Sequence, residues 1–211
     1  MIFNAHSELK GKHAFLSPSQ YSWLNYDDDK LRERYYAQYA QSIGTLLHEF
    51  AAMHIQHGIK LNKSSKSEAL LYLLSHGIPS NAVDIDFMFP NLMAYTNDAI
   101  GFRMIPEQIL RYSDVCYGTA DAISFREKDN FLRIHDYKSG LMPAKIDQLL
   151  IYEALFCLEY RFKPTDIHSE LRIYQNDTVF VHNPEVNEIV PVIDKIVSHN
   201  KTLIRLDEQE G

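Results

Sequence analysis

The stretch of sequence that most restricts the fold runs from Asp121 to Gly140 and reads DAISFREKDNFLRIHDYKSG. Apolar and polar residues alternate on both sides of a turn-forming centre, which is typical of two antiparallel strands. Side chains alternate between faces along a strand, and residues paired across a hairpin share a face. A connection with an even number of residues therefore places Asp121, Asp136 and Lys138 on one face. An odd number would separate the two acids.

The apolar residues select the even-length connection, because only that choice gathers the apolar side chains of both strands on one face. Two even lengths remain open. A two-residue turn at 129–130 pairs Asp121 with Lys138, whereas a four-residue loop at 127–130 pairs Asp121 with Asp136. The shared face then carries Ile123, Phe125, Leu132 and Ile134, and the opposite face carries Ser124, Arg126, Arg133 and His135.

Two carboxylates at the end of a core-facing row are in an unfavourable place. Unpaired, they repel each other and are poorly solvated. A divalent cation would remove the conflict, since carboxylate oxygens suit Mg²⁺ or Mn²⁺. A structural ion pair between one of the two aspartates and Lys138, with the other aspartate as a capping residue, is the alternative explanation of the same pattern.

The front of the chain, residues 15–100, is predicted to be mainly helical. Hydrophobic spacing and capping residues indicate four helical segments. They are a short helix at FLSPSQYSWLNY begun by Ser17 and Pro18, one long helix from Asp27 to Gly58, a helix capped by Ser64 or Ser65 and closed by Gly77, and a segment from Ser80 to Phe102 interrupted by Pro90.

The remainder, residues 101–211, is predicted to form a small mixed sheet with a crossover helix and a C-terminal helix. The fold class is therefore α/β, in one domain of 211 residues. The five predicted strands are FRMIPEQILRY, GTADAISFRE, NFLRIHDYK, ELRIYQN and TVFVHN. A helix at PAKIDQLLIYEALFCLEYRF separates the third strand from the fourth, and the last helix is broken or begun again near Pro191.

Composition narrows the functional classes. The net charge of −7 argues against a broad surface that coats nucleic acid, although a metal ion can supply positive charge locally. Two cysteines, Cys116 and Cys157, are too few for a disulfide framework or a four-thiolate cluster, so both are expected to be free thiols in the core. The sequence shows no signal peptide and no apolar run of membrane length, which predicts an intracellular, cytoplasmic protein.

GTADAI followed by IHDYKSG resembles the PD-(D/E)XK nuclease superfamily, in particular its RecB-like exonuclease branch. Three more segments resemble motifs of that family, in the family's order. FLSPSQYSWL resembles the short helix that opens these domains, GTLLHEF resembles the helical motif that supplies a histidine, and QLLIY resembles the Q-x-x-x-Y motif. Together the five segments extend from about residue 15 to residue 152. The resemblance implies a restriction-endonuclease-like fold.

The resemblance also implies a function: hydrolysis of DNA phosphodiester bonds by an exonuclease that uses one or two Mg²⁺ or Mn²⁺ ions, in bacterial or phage recombination, replication or repair. Carried over residue by residue, it assigns roles to eight positions. The metal ligands would be His48, Asp121, Asp136 and the Tyr137 carbonyl, the catalytic group would include Lys138, the substrate strand would be placed by Gln148 and Tyr152, and Glu107 is an additional candidate acid.

The chain departs from part of that family. Several relatives carry an iron–sulfur cluster on four cysteines, which this chain cannot hold. It also has no helicase-like P-loop, so any translocation along DNA would come from a partner, such as a helicase, a recombinase or a single-strand-binding protein. A catalytically inactive nuclease-fold module that binds protein or DNA is the alternative function. Whether Lys138 acts as a base or as an electrostatic clamp stays open.

Several of these residues have simpler explanations when taken alone. His48 follows apolar Leu47 and could be an ordinary core or surface histidine, but Gly44, one turn earlier, would allow another element to approach closely. The Tyr-rich run ERYYAQYAQ could stack on bases or simply join the core. YDDDK is best explained as an acidic helix N-terminus.

Overall fold

A five-stranded mixed sheet between two helical layers forms the centre of the computed structural model, which describes residues 4–210. The mixed α/β class and the helical front of the chain are confirmed. The helices are α1 Asp28–Ala37, α2 Ala40–His57, α3 Ser65–Ser75, α4 Ile85–Gly101, α5 Asp147–Tyr160 and α6 Val186–Glu210. The strands are β1 Ile105–Ser113, β2 Cys116–Arg126, β3 Phe131–Tyr137, β4 His168–Gln175 and β5 Thr178–His182.

The strands lie in the sheet in the order in which they occur in the chain, β1-β2-β3-β4-β5. All neighbouring strands are antiparallel except β3 and β4, which are parallel. A parallel pair needs a crossover connection, and α5 provides it. Each strand coincides with one of the five predicted runs, so the strand pattern and the crossover helix are confirmed.

The β2–β3 hairpin has the four-residue connection, 127–130. Arg126 pairs with Phe131 and Ala122 pairs with His135. Continuing this register by one residue places Asp121 opposite Asp136. The prediction of an even-length connection is therefore confirmed, and the longer of the two alternatives is the correct one.

Each face of the sheet has its own hydrophobic core. The predicted apolar row of the hairpin packs against α5 and α6, while the other face packs against α2, α3 and α4. Ala122, His135 and Tyr137 on that second face are completely buried. The end of the hairpin is thus covered from both sides, which withdraws its carboxylates from water.

The predicted long helix is in fact two helices, α1 and α2, so this prediction was wrong. At the junction the Tyr39 N–H bonds to the carbonyl of Tyr36, three residues back, at 3.1 Å. The Gln38 side chain caps the Tyr35 carbonyl at 2.7 Å. This tight turn ends α1 before α2 begins, because a bond to the carbonyl three residues back interrupts the helical series of bonds four residues back.

Neither Pro90 nor Pro191 interrupts its helix, contrary to expectation. Each is the sixth residue of its helix, and each is exposed. A proline this near the start removes only one bond of the helix, to the carbonyl four residues earlier. For Pro90 that carbonyl belongs to Asp86, whose side chain lies in solvent, where water can satisfy the group.

The beginning of the chain is less regular than predicted. Pro18–Asn25 consists of 3₁₀ turns interrupted at Gln20, where the backbone is not helical. The Ser17 side chain caps no backbone group, although the Ser17 carbonyl accepts a bond from the Trp23 indole at 3.0 Å. Asp27 does cap α1 through the Lys30 N–H at 2.8 Å, as expected of an acidic helix start.

Cys157 is buried and Cys116 is half-buried, and both are free. Within residues 4–210, no helix combines the length and apolar character needed to cross a membrane.

Pro90→Ala should stabilise the protein. Alanine restores the N–H that can bond to the Asp86 carbonyl and removes the ring clash, and these gains exceed the chain entropy that proline removes from the unfolded state. We expect the free energy of unfolding in urea to rise by about 1–2 kcal/mol. Pro79→Ala, in extended backbone just before a short turn, is the control and should give no gain. Equal effects of the two changes would contradict this account of Pro90.

Candidate metal centre

Three side chains from three elements converge in one cleft. His48 of α2, Glu107 of β1 and Asp121 of β2 each present one ligand atom, and these atoms all lie within 4.8 Å of one another. The cleft has a volume of about 670 Å³ and is also lined by Lys138 and Glu49. An imidazole nitrogen and two carboxylates at this spacing can coordinate one divalent cation.

Asp121 lies at the centre of the group. Its Oδ2 accepts a hydrogen bond from the Tyr137 N–H at 3.0 Å and lies 3.2 Å from His48 Nδ1. Burial raises the pKa of Asp121 to about 7, and the Tyr137 bond and the Lys138 charge only partly oppose this. Burial also lowers the pKa of His48, which keeps its ring neutral and able to coordinate a metal.

Glu107 reaches the site through an unusual backbone. Its φ of 51° lies in the left-handed region, which a non-glycine residue adopts at a cost. The neighbouring pairs, Pro106 with Ala122 and Gln108 with Ala120, leave Glu107 opposite Asp121. Partial withdrawal from water raises the pKa of Glu107, and His48 opposes the rise. Strain of this kind is common at functional sites, and here it coincides with the gathering of three ligands.

Asp136 is adjacent to the group but not a member of it. The residue is 2 % exposed, and its Oδ1 accepts a bond from Lys138 Nζ at 2.9 Å. Its Oδ2 is buried and has no hydrogen-bond partner among the described residues. Burial, and next the charge of Asp121, raise the pKa of Asp136 to about 7. A buried oxygen without a partner requires an explanation, and a cation beside it would be one.

Tyr137 contributes its main chain, while its side chain belongs to the core. The hydroxyl donates to the Met88 carbonyl at 3.2 Å, and the ring stacks on Tyr95 with centroids 6.0 Å apart. The ring also lies beside that of His48, with centroids 5.5 Å apart. The role of the Tyr137 carbonyl as a metal ligand stays a prediction.

Lys138 is held by a chain of polar side chains. Its Nζ donates to Gln148 Oε1 at 3.0 Å as well as to Asp136. Gln148 Nε2 in turn contacts the Tyr152 hydroxyl at 3.4 Å, and that hydroxyl donates to the Thr119 carbonyl at 2.5 Å. Helix α5 therefore connects the lysine to the strand that carries Asp121.

Two residues of the GTADAI segment were not singled out from the sequence, although they lie just before Asp121. Thr119 supplies the carbonyl that anchors Tyr152. A Cβ on Gly118 would lie 3.0 Å from Tyr152 Cε1, so glycine allows this close approach. Gly44 was expected to serve such a purpose, but a Cβ there would lie an ordinary 3.4 Å from Ser139 Oγ. The approach of α2 to the loop after β3 does not require that glycine.

The residues present fit a hard divalent cation. Carboxylate oxygens dominate the donor set, one neutral imidazole adds a nitrogen, and an unpartnered carboxylate oxygen lies alongside. Without a cation, burial raises the pKa of both Asp121 and Asp136 to about 7. Near neutral pH, bound protons therefore neutralise part of the negative charge of these two carboxylates. Protons and metal should therefore compete for the same oxygens.

We expect Mg²⁺ or Mn²⁺ to raise the melting temperature, and to raise it more at pH 8 than at pH 6. At pH 6 the acids with pKa near 7 are mostly protonated, so the cation must displace protons. At tenfold excess over Kd the gain is about 1.4 kcal/mol, or roughly 3–6 °C. Thermal unfolding with the cation or with EDTA measures the shift.

Asp121→Asn should abolish this shift, whereas Glu49→Gln should keep it. Glu49 lines the same cleft but bonds to the Tyr72 hydroxyl at 3.3 Å and lies outside the three-residue group. A shift that is equal at both pH values, or that survives Asp121→Asn, would refute the assignment of the site.

In EDTA the wild-type protein should lose stability as pH rises from about 4 to 8. The unfolded acids ionise near pH 3.9, whereas Asp121 and Asp136 in the folded state hold their protons until about pH 7. The folded state binds more protons over this window, so stability falls with pH. Asp121→Asn removes one buried charge, and its amide oxygen can still accept the Tyr137 N–H. Urea unfolding should therefore show a smaller fall for this variant, and an equal fall would contradict the pKa assignment.

Comparison with models of protein families finds no match to this chain, and comparison with curated proteins finds no significant match. The resemblance to nucleases therefore rests on the five short segments alone. The arrangement of His48, Glu107 and Asp121 is independent of that resemblance, since it comes from the three-dimensional structure.

Proposed function

We propose that this protein is a metal-dependent deoxyribonuclease with a restriction-endonuclease-like fold, from the RecB-like branch of the PD-(D/E)XK superfamily. One observation carries the proposal. His48, Glu107 and Asp121 meet in a cleft that also holds the Lys138 ammonium, itself bonded to the buried Asp136. The five motif-like segments in order, and the mixed sheet flanked by helices, support it.

The cation would be held by His48, Glu107 and Asp121, with Asp136 beside it. When bound, such a cation would supply Lewis-acid chemistry: it would polarise a phosphodiester and lower the pKa of a water molecule, for hydrolysis in which the P–O bond to the leaving oxygen breaks. The protein's own contribution is to keep these ligands buried on one side and open to the cleft on the other, where the electrostatic interactions are strong.

Lys138 is arranged as a clamp for the phosphate. An ammonium has three N–H donors, and two of them bond to Asp136 and Gln148. One N–H remains to donate to a phosphate oxygen, and the side chain is about one third exposed in the cleft. The clamp role needs no deprotonation of a lysine that lies 2.9 Å from a carboxylate oxygen. We therefore favour it over the role of general base.

Gln148 and Tyr152 position the lysine in this scheme. They lie four residues apart on one face of α5 and tie Lys138 to the Thr119 carbonyl. The resemblance gives the same two residues a role in placing the substrate strand. Both roles are compatible, because Gln148 bonds to the Lys138 ammonium, and Lys138 lines the cleft where the phosphate would lie.

DNA ends are the proposed substrate, with exonucleolytic cleavage in recombination, replication or repair. The net charge of −7 means that binding must come from the local site or from a partner that brings DNA to it. A helicase, a recombinase or a single-strand-binding protein would fill that role. The alternative is an inactive module, but the complete set of acids, histidine and lysine favours catalysis.

Incubation with linear and circular DNA, single- and double-stranded, in Mg²⁺, Mn²⁺ or EDTA tests the proposal. We expect metal-dependent release of nucleotides from linear DNA only. Asp121→Asn, Asp136→Asn and Lys138→Met should each reduce the rate by about a hundredfold or more, since each removes a charge placed at the reacting phosphate. Glu49→Gln is the matched control and should retain activity.

Two outcomes would contradict this proposal. Cleavage that survives Asp136→Asn would show that the activity belongs to another site or to a contaminant. A wild-type protein that binds the cation, by its thermal shift, but cleaves no DNA would favour the non-catalytic module.

A further inference from the structure

Two apolar side chains project from the rim of the candidate metal centre. Leu141 is 72 % exposed and Met142 is 84 % exposed, more than any other large hydrophobic side chain in the described part of the chain. They follow directly on Ser139 and Gly140, which line the cleft. Exposed apolar groups at the edge of a polar site commonly mark contact with a ligand or a partner.

The main chain beneath these side chains is held firmly in place. The buried Gln175 side chain, at the end of β4, uses both its amide hydrogens and its oxygen on residues 140–144, and Asn176 adds a fourth bond. These bonds are Gln175 to the Gly140 carbonyl at 2.6 Å, to the Met142 carbonyl at 2.8 Å and to the Ala144 N–H at 2.9 Å, and Asn176 to the Leu141 carbonyl at 3.2 Å. The exposure of Leu141 and Met142 is therefore built into the loop.

The distance to the chemistry suits a nucleic acid strand. Leu141 is three residues beyond Lys138, so their Cα atoms are at most about 11 Å apart. Neighbouring nucleotides along one strand of a duplex are about 3.4 Å apart. For a strand whose phosphate lies at Lys138, bases up to about three nucleotides away are therefore within reach of Leu141 and Met142.

A nucleic acid fits this surface better than a protein does. A stable protein interface needs roughly 800 Å² from each partner, which two side chains cannot supply. Unstacking of bases, in contrast, needs only one or two apolar side chains inserted at a step. Lys145 is exposed at the base of the same loop and makes no ion pair with the described side chains of residues 4–206, so it can contact neighbouring phosphates of the strand.

We propose that Leu141 and Met142 form a wedge that stacks against the terminal bases of the strand being cut and separates them from the opposite strand. The substrate of this site is then an unpaired stretch of about three nucleotides, and a duplex end is opened before cleavage. This inference rests on the proposed nuclease function and adds the form of the substrate to it.

The test compares blunt duplex DNA with the same duplex carrying three unpaired terminal nucleotides. Leu141→Ser/Met142→Ser should cut the blunt duplex about tenfold more slowly, since opening an end without the wedge costs an extra ~1.4 kcal/mol or more. It should cut the pre-opened duplex within about twofold of wild type. Val186→Ser/Val190→Ser, on exposed residues at the start of α6, is the control and should leave both rates unchanged.

Binding gives a second readout that needs no catalysis. The Asp136→Asn variant is mixed with a blunt duplex that carries 2-aminopurine as the second base from its end. The fluorescence of 2-aminopurine should increase when the protein binds, because the base loses its stacking partners. The wedge variant should lose this increase and keep its circular dichroism spectrum. Three results would contradict the wedge proposal. The wedge variant could cut both substrates equally slowly, cut both at the wild-type rate, or show a changed oligomeric state in place of these effects.

Failure of the nuclease proposal looks different. If wild type cuts neither substrate but the 2-aminopurine signal rises and depends on Leu141 and Met142, the wedge stands and the catalytic role falls. If wild type cuts both substrates and the signal is absent or independent of these residues, the wedge falls and the nuclease stands. If there is neither cleavage nor signal, both are overturned.

Discussion

The structure is organised around a charge conflict at the end of the β2–β3 hairpin. Asp121 and Asp136 face each other across two strands that are covered on both sides, and burial brings the pKa of each to about 7. Three surrounding groups counter that conflict, namely the Tyr137 N–H, the Lys138 ammonium and the His48 ring, whereas the Glu107 carboxylate adds to it. One carboxylate oxygen has no hydrogen-bond partner among the described residues, and a bound cation would explain it.

The helices have two tasks at once, because each covers one face of the sheet and also delivers a polar group to its edge. Helix α2 buries Leu47 and Phe50 in one core and turns His48 towards Asp121. Helix α5 buries Leu149 in the other core and turns Gln148 towards Lys138. The site therefore forms only when both layers have packed, so its geometry depends on the whole fold rather than on one loop.

Much of this arrangement could be predicted from alternation along the chain. The apolar row of the hairpin determined its even register, since a shift by one residue would have exposed it. Glu107 was only an additional candidate acid in the sequence, because its place beside His48 and Asp121 depends on a left-handed residue within β1 and on a strand pairing that no pattern specifies. The continuity of α4 and α6 was missed because a proline near a helix start affects only one carbonyl, which solvent can satisfy.

The last two residues of β4, Tyr174 and Gln175, fix the position of the loop that follows β3. The Tyr174 carbonyl accepts the Lys138 N–H at 3.0 Å, and the next side chain, Gln175, holds residues 140–144. The spacing between the ammonium and the two apolar tips is thus set by a strand in the middle layer, and not by the stiffness of the loop. Under the proposed function, substitutions at the β4–β5 turn would change the position of Leu141 and Met142 relative to a bound DNA strand. The side chains of the cleft would stay in place.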